Sequence, residues 1–255
     1  MNRQEFDEMR DEFAIIIYNY EKFLKDCILL DYRYNTQYFD ILQKIRFYEV
    51  ENGLMARCFQ AREENADADV SNIIDNFQKG YKQEVNNALK KHKIATVVTK
   101  HSQELSEEDS KAFEELYQKF IHDHHPVVKA LINDEEKNAY ERLKVYYYEN
   151  NFEGFKEAYE LNKEVFLEPE YTEEIFSQIS SYYYDIRKRI GQDFTKKQKA
   201  YPFTKKDVFV DDMSIAYEEA ELKTALSKAI RDNHQFHEEF QKRFGFDVSI
   251  SNPEA

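Results

Sequence analysis

The chain has no tryptophan, two cysteines, four prolines and five glycines in 255 residues, and each shortage removes a class of protein. Tight turns draw on proline and glycine, whereas helix interiors exclude both. The first proline is Pro126, so the first half of the chain runs without the residue that stops helices. Cys27 and Cys58 are not spaced as a redox pair, and each sits among apolar neighbours, where a free buried thiol is usual. That usage excludes a disulfide framework and implies a reducing compartment. The longest apolar run, Phe13 to Tyr18, is far short of a membrane span. The segment Met1-Asn2-Arg3-Gln4-Glu5 lacks the apolar stretch of a secretory leader. A cytoplasmic location is expected.

Positive charge is also short. Lys and Arg number 36 against 50 Asp and Glu, a net charge of −14. Such a balance argues against general nucleic-acid binding, which neutralises phosphates, and against anionic membranes. Two local basic clusters, Lys90-Lys91-His92-Lys93 and the run from Lys196 to Lys206, read as solvated helix ends or loops.

What is present is helical periodicity. Phe6, Met9, Phe13, Ile16, Tyr20, Phe23, Cys27, Leu30 and Tyr34 alternate spacings of three and four, a heptad seam. Ile17 and Leu24 widen it, which predicts packing against more than one neighbour. A second helix is expected from Asn35-Thr36 to about Glu64, with Gly53 as a point of kinking or close packing. A turn at 65–69 precedes a third helix carrying Val70, Ile73, Ile74, Phe77, Tyr81, Val85 and Leu89 inward, and 96–103 reads as a polar, β-branched linker. Ser106-Glu107-Glu108-Asp109 has the form of a capping box opening the next helix. Further helices are expected from Asn133-Asp134, after Asn150-Asn151, over about 172–190 and over 212–244. The expected fold is all-α: elongated helical bundle or coiled-coil arms with a small central helical module. The expected division is an antiparallel helical arm over 1–100, the module over 104–167 and a helical pair over 170–255.

Chemical motifs are scarce. The chain contains no phosphate-cradling glycine loop, nucleophile elbow, HExxH helix or CxxC pair. None of its seven histidines has Glu three residues before it, so the di-iron bundle pattern is missing. His122-Asp123-His124-His125 is the one dense group of ligand types. Consecutive helical residues diverge, so at most two could share an ion, and no bound metal or cofactor is expected. His234 and His237 form a second, sparser pair. The plainer reading of both is polar residues at helix ends, where a cationic imidazole complements the dipole. The triplets Tyr146-Tyr147-Tyr148 and Tyr182-Tyr183-Tyr184 fan out on a helix and cannot form one stacking surface, so they read as core aromatics with an exposed edge.

One stretch carries a resemblance. Tyr117-Gln118-Lys119-Phe120-Ile121-His122-Asp123-His124-His125-Pro126-Val127 resembles the heart of a DnaJ-type J-domain, in which a Tyr-Arg-Lys-Leu helix leads to His-Pro-Asp eight residues after the Tyr. Tyr117 and His125 stand at that spacing, Lys119 keeps its place and Phe120 replaces the Leu. The ending Tyr147-Tyr148-Glu149-Asn150-Asn151-Phe152 resembles that of bacterial members. The wider layout resembles bacterial coiled-coil proteins with a central J-like segment and a C-terminal helical pair around a Pro-Phe, here Pro202-Phe203. The resemblance implies a small helical module that binds a partner through Tyr117, Lys119, His125 and Pro126. It also implies a degenerate one. The family's Asp is Val127 here, Gln118 stands for an Arg, and His122 and Asp123 stand for lysines.

The resulting expectation is a non-enzymatic helical interaction or scaffold protein with a degenerate J-like module and protein partners. A DnaK-type chaperone would be one such partner, and self-association through the Phe6–Tyr34 seam another route. The alternatives are a DnaK-type co-chaperone or client adaptor, and a metal-dependent hydrolase built on the 122–125 histidines.

Overall fold

A computed structural model of the protein describes residues 1–250, the Gln103 side chain excepted. Eight α-helices and no strand occur among them: α1 (Arg3–Glu64), α2 (Ser71–Glu104), α3 (Glu107–His124), α4 (Pro126–Lys129), α5 (Asp134–Tyr148), α6 (Phe152–Asn162), α7 (Glu173–Gln198) and α8 (Asp212–Phe244). The fold is all-α, as the periodicity requires. Two compact units are formed, one from Met1–Arg33 with Thr96–Lys206, the other from Tyr34–Ala95 with the chain from Asp207 onward. The sequence divides the chain consecutively. The units instead draw on distant segments, because α1 and α2 each run through both. The last five residues of the expected C-terminal pair lie outside the described residues.

In the first unit the seam of α1 is covered by α7. Phe6 stacks on Phe176 with ring centroids 4.4 Å apart, Phe13 stacks on Tyr183 at 4.1 Å, and Phe23 meets Phe194 edge-on at 4.6 Å. Phe6, Phe13 and Phe23 of the seam are therefore occupied within the chain. A neighbouring stripe of α1, Ala14, Ile17, Tyr18, Glu21 and Lys25, is buried as well, which is the second packing face that Ile17 foretells. Opposite it, α3 buries Phe113, Tyr117, Phe120 and Ile121. Ser106 caps α3 by accepting from the Asp109 amide at 3.0 Å, and α5 opens with a reciprocal box between Asn133 and Glu136. Each such cap satisfies donors that the first helical turn leaves orphaned and contributes on the order of 1 kcal/mol.

In the second unit α1 and α2 run antiparallel. Phe39 stacks on His92, Phe47 meets Tyr81, and Gly53 faces Phe77, so one register rises as the other falls. Their buried faces, Leu54, Met55, Cys58 and Phe59 with Val70, Tyr81 and Val85, close on Phe240 of α8. Gly245, at φ 76°, ends α8 in the left-handed conformation that favours glycine. The chain beyond it buries Val248 and Ile250 in the same core. Cys27 and Cys58 are both free and buried, and burial pushes the Cys58 thiol up to about 11.

Four local expectations are corrected. The break expected at Asn35-Thr36 falls instead at Tyr38, where α1 kinks between two helical stretches at φ −117° and ψ 16°. Gly53 is neither kink nor close approach, since a Cβ there would meet Phe77 at an ordinary 3.8 Å. Residues 96–103 are no linker but the last turns of α2, because Ala95 and Val98 are buried, at 0% and 2% exposure, and burial overrides β-branched propensity. Leu89, expected inward, is exposed. Lys90, Lys91 and Lys93 are exposed as expected, though within α2 rather than at a helix end.

Candidate functional site

The J-like residues converge in the first unit, but inward. Tyr117 sits mid-α3 on the buried stripe with Phe113 and Phe120, and it is fully buried. Its hydroxyl donates to Glu21 Oε2 of α1 at 2.5 Å. Tyr140 of α5, buried too, donates to the same oxygen at 3.0 Å. His125 lies between α3 and α4, and its Nε2 is 3.3 Å from Glu21 Oε1. Its other nitrogen, Nδ1, accepts from the Val127 amide at 3.0 Å and so caps α4, where Pro126 takes the first helical position. That hydrogen bond makes Nδ1 the acceptor, so a neutral His125 carries its proton on Nε2 and points it at Glu21.

Glu21 is the acceptor on which the cluster is built. Burial works to raise its carboxyl, but the hydrogen bonds from His125 and Tyr117 outweigh burial and hold it below the ordinary range. Burial, together with the nearby carboxylate, drives both tyrosines far above their usual value, so neither ionises. The arrangement is a saturated core network: three donors on one carboxylate, with Tyr117 stacked on Tyr147 at 3.5 Å. A second network adjoins it. Glu114 accepts from Lys25 at 2.8 Å, Tyr18 at 2.6 Å and Tyr147 at 2.9 Å. Burial again works against its charge, and the Lys25 and Tyr18 hydrogen bonds prevail to hold it low.

Of the four residues the resemblance selects, Tyr117 and His125 thus face the core, Pro126 is half-buried and Lys119 is exposed. They share no common surface. The exposed side of α3 carries Gln118 and Lys119. His122 is tied to Asp11 at 2.9 Å and to Asp123 at 2.7 Å.

The 122–125 histidines diverge as helical geometry demands. His122 goes to Asp11 and Asp123, His124 reaches the Tyr159 hydroxyl at 3.1 Å and stacks on Phe166, and His125 meets Glu21. Burial holds His124 down at about 4, and it is neutral at physiological pH. His237 bridges Glu51 and Asp247, while His234 is exposed. Among the described residues, no three His, Cys, Asp or Glu side chains are grouped to hold a metal. The tyrosine triplets fan out: Tyr147 and Tyr183 are buried while Tyr184 is exposed.

Sequence reasoning missed Glu21 and Lys25. A signal existed: both stand at helical spacing from Ala14, Ile17 and Tyr18, on the stripe flanking the seam. It also missed Glu51, buried in α1, which accepts from Asn233 at 2.9 Å, the Ser249 hydroxyl at 3.1 Å and the Ile250 amide at 3.0 Å.

No helix among the described residues is long and apolar enough to cross a membrane. No protein-family profile, curated protein or solved structure matches the chain.

Proposed function

We propose that this chain is a non-enzymatic helical interaction or scaffold protein, in which the J-like segment serves as a structural module. The observation that carries the reading is apolar surface that no core uses. At the start of α8, Met213 and Tyr217 are 82% and 68% exposed and stand one turn apart on one helical face, and Val210, 72% exposed, lies in the chain just before the helix begins. Exposed apolar side chains on one helix face are the usual form of a helix-presented docking surface. The inward orientation of Tyr117 and His125 supports the same reading, since their polar atoms are already engaged by Glu21.

A protein partner is expected on the Met213–Tyr217 face. The test is capture of partners from host lysate by the wild-type chain and by Met213→Glu/Tyr217→Glu, with circular dichroism to show that the variant is folded. Partners lost with the double substitution support the proposal; an identical set with both proteins overturns that face. The second reading is a DnaK-type co-chaperone, favoured by the Tyr117–His125 spacing and exposed Lys119. Stimulation of a DnaK-type ATPase by the wild-type chain would establish it in place of the scaffold.

A further inference from the structure

The kink in α1 lacks the ordinary causes. No proline or glycine lies within a turn of Tyr38, yet its backbone leaves the helical region at φ −117°, ψ 16°. Two residues earlier, the Thr36 hydroxyl is shut away from solvent with no hydrogen-bond partner. Irregular backbone and an unsatisfied buried polar atom each cost free energy, and such costs concentrate where a ligand or substrate is handled. Both residues line one cavity of about 540 Å³ within the second unit, formed where α1, α2 and α8 meet. Spaces between the helices of a bundle are common ligand sites, and this volume is within their range.

The lining has a definite chemistry. Phe39 of α1 and His92 of α2 stack with centroids 3.9 Å apart and planes 22° from parallel, an aromatic pair in the lining. Leu226 of α8 adds an apolar side. Four charged residues line the cavity. Glu219 and Lys223 neutralise each other at 2.6 Å. Asp40 and Lys44 stand one helical turn apart with the acid ahead of the base, the favourable order for pairing, yet no ion pair joins them. The cavity therefore offers one uncommitted carboxylate and one uncommitted ammonium beside an aromatic pair.

We propose that this cavity binds a small zwitterion with a flat apolar body, the chemistry of an aromatic amino acid. Lys44 receives the carboxylate, Asp40 the ammonium, and the Phe39–His92 pair the ring. Neither charged residue belongs to the Glu21 network or to the Met213–Tyr217 face, so the inference stands apart from the scaffold reading.

The absence of tryptophan from the chain makes the test direct. Free L-tryptophan, excited at the red edge where tyrosine does not absorb, reports binding to the full-length protein without background. Indole-3-propionate, lacking the ammonium, and tryptamine, lacking the carboxylate, are titrated alongside. Saturable binding of L-tryptophan is expected below millimolar concentration, with each half-charged probe about tenfold weaker or more. Lys44→Glu and Asp40→Lys, both at exposed positions and both checked for helicity, should each weaken L-tryptophan by a similar factor. No saturable signal up to millimolar L-tryptophan overturns the proposal. So does equal binding of all three probes, or wild-type affinity in both variants.

Discussion

His125 places its Nε2 3.3 Å from Glu21 Oε1, joining the start of α4 to α1 across 104 residues of chain. The same carboxylate takes the Tyr117 and Tyr140 hydroxyls, so three elements converge on one acceptor. Its removal takes the acceptor from three buried donors, of which only the two tyrosine hydroxyls, 3.4 Å apart, have each other to turn to. Glu21→Ala should destabilise the protein by about 3–5 kcal/mol in chemical denaturation, the range for breaking a buried charged contact from one side. Glu21→Gln keeps an acceptor and should cost less. Equal stability of wild type and Glu21→Ala would show that the network contributes nothing.

Acid should weaken the fold in a defined direction. The Glu21 and Glu114 carboxyls are held below their ordinary value in the folded state, by the His125 and Lys25 contacts acting against burial. A carboxyl depressed on folding gives stability that is present above its unfolded value, near 4.5, and is lost as pH falls through the folded value. His124 acts earlier and with the same sign. Its folded value of about 4 lies below the ordinary 6.5, so falling pH favours the unfolded, protonated form between those limits. Melting temperature should therefore decline as pH drops from 6.5 toward 4, and more steeply below. His124→Gln should flatten the first part of that slope. An unchanged slope would place the acid sensitivity elsewhere.

Two glycines should respond oppositely to alanine. A Cβ at Gly154 would lie 2.8 Å from Tyr146 ring atoms and 2.8 Å from Nδ2 of Asn151, the residue that caps α6. Nothing lies near Gly191 within α7. Gly191→Ala should stabilise by up to about 1 kcal/mol through helix propensity. Gly154→Ala should instead destabilise, by roughly 1–3 kcal/mol for forced repacking. Thermal melts of the two single variants decide it, and a shift of the same sign in both would defeat the argument.

The α1 seam makes a further prediction. Phe13 is 3% exposed and stacked on Tyr183. Phe13→Ala should cost about 3–5 kcal/mol in a denaturant titration, the usual range for a large aromatic removed from a core. An unchanged transition midpoint would contradict the packing.

Residues whose local chemistry agrees with their tertiary role were legible in the sequence. Ser106 caps its helix as its spacing to Asp109 foretells, a helix opens at Asn133-Asp134, and Phe6 and Phe13 lie buried on the seam. The residues 96–103 were not, because burial of Ala95 and Val98 decides their state and nothing local announces it. Glu21 escaped for the opposite reason. Taken alone a glutamate reads as solvent-facing, and only the arrival of Tyr117, Tyr140 and His125 from other helices makes it a core residue. The kink at Tyr38 falls close to Asn35-Thr36, the polar pair that marks a helix boundary in the sequence, although no proline or glycine is near it.

The last prediction concerns Val127. The wild-type chain should not stimulate a DnaK-type ATPase, and Val127→Asp alone should not rescue it. In the J-domains that residues 117–127 resemble, docking combines a basic helix face with the Asp carboxylate. The Val127 side chain is aliphatic and packs against the first unit's core, while its amide is already used by His125. Restoring a carboxylate returns one interaction, about 1.5–3 kcal/mol for a bond to a charged group. Gln118 would remain uncharged, Asp123 would remain acidic beside His122, and the chain would still carry close to its −14. Steering toward an acidic docking surface therefore stays unfavourable. Gln118→Arg and Asp123→Lys added to Val127→Asp should do more than Val127→Asp alone, because they restore the face as well as the contact. Single-turnover ATP hydrolysis by the host chaperone, with wild type, single and triple variants, measures this directly. Clear stimulation by the wild type would replace the scaffold with a co-chaperone. Rescue by Val127→Asp alone would show that the basic face is dispensable.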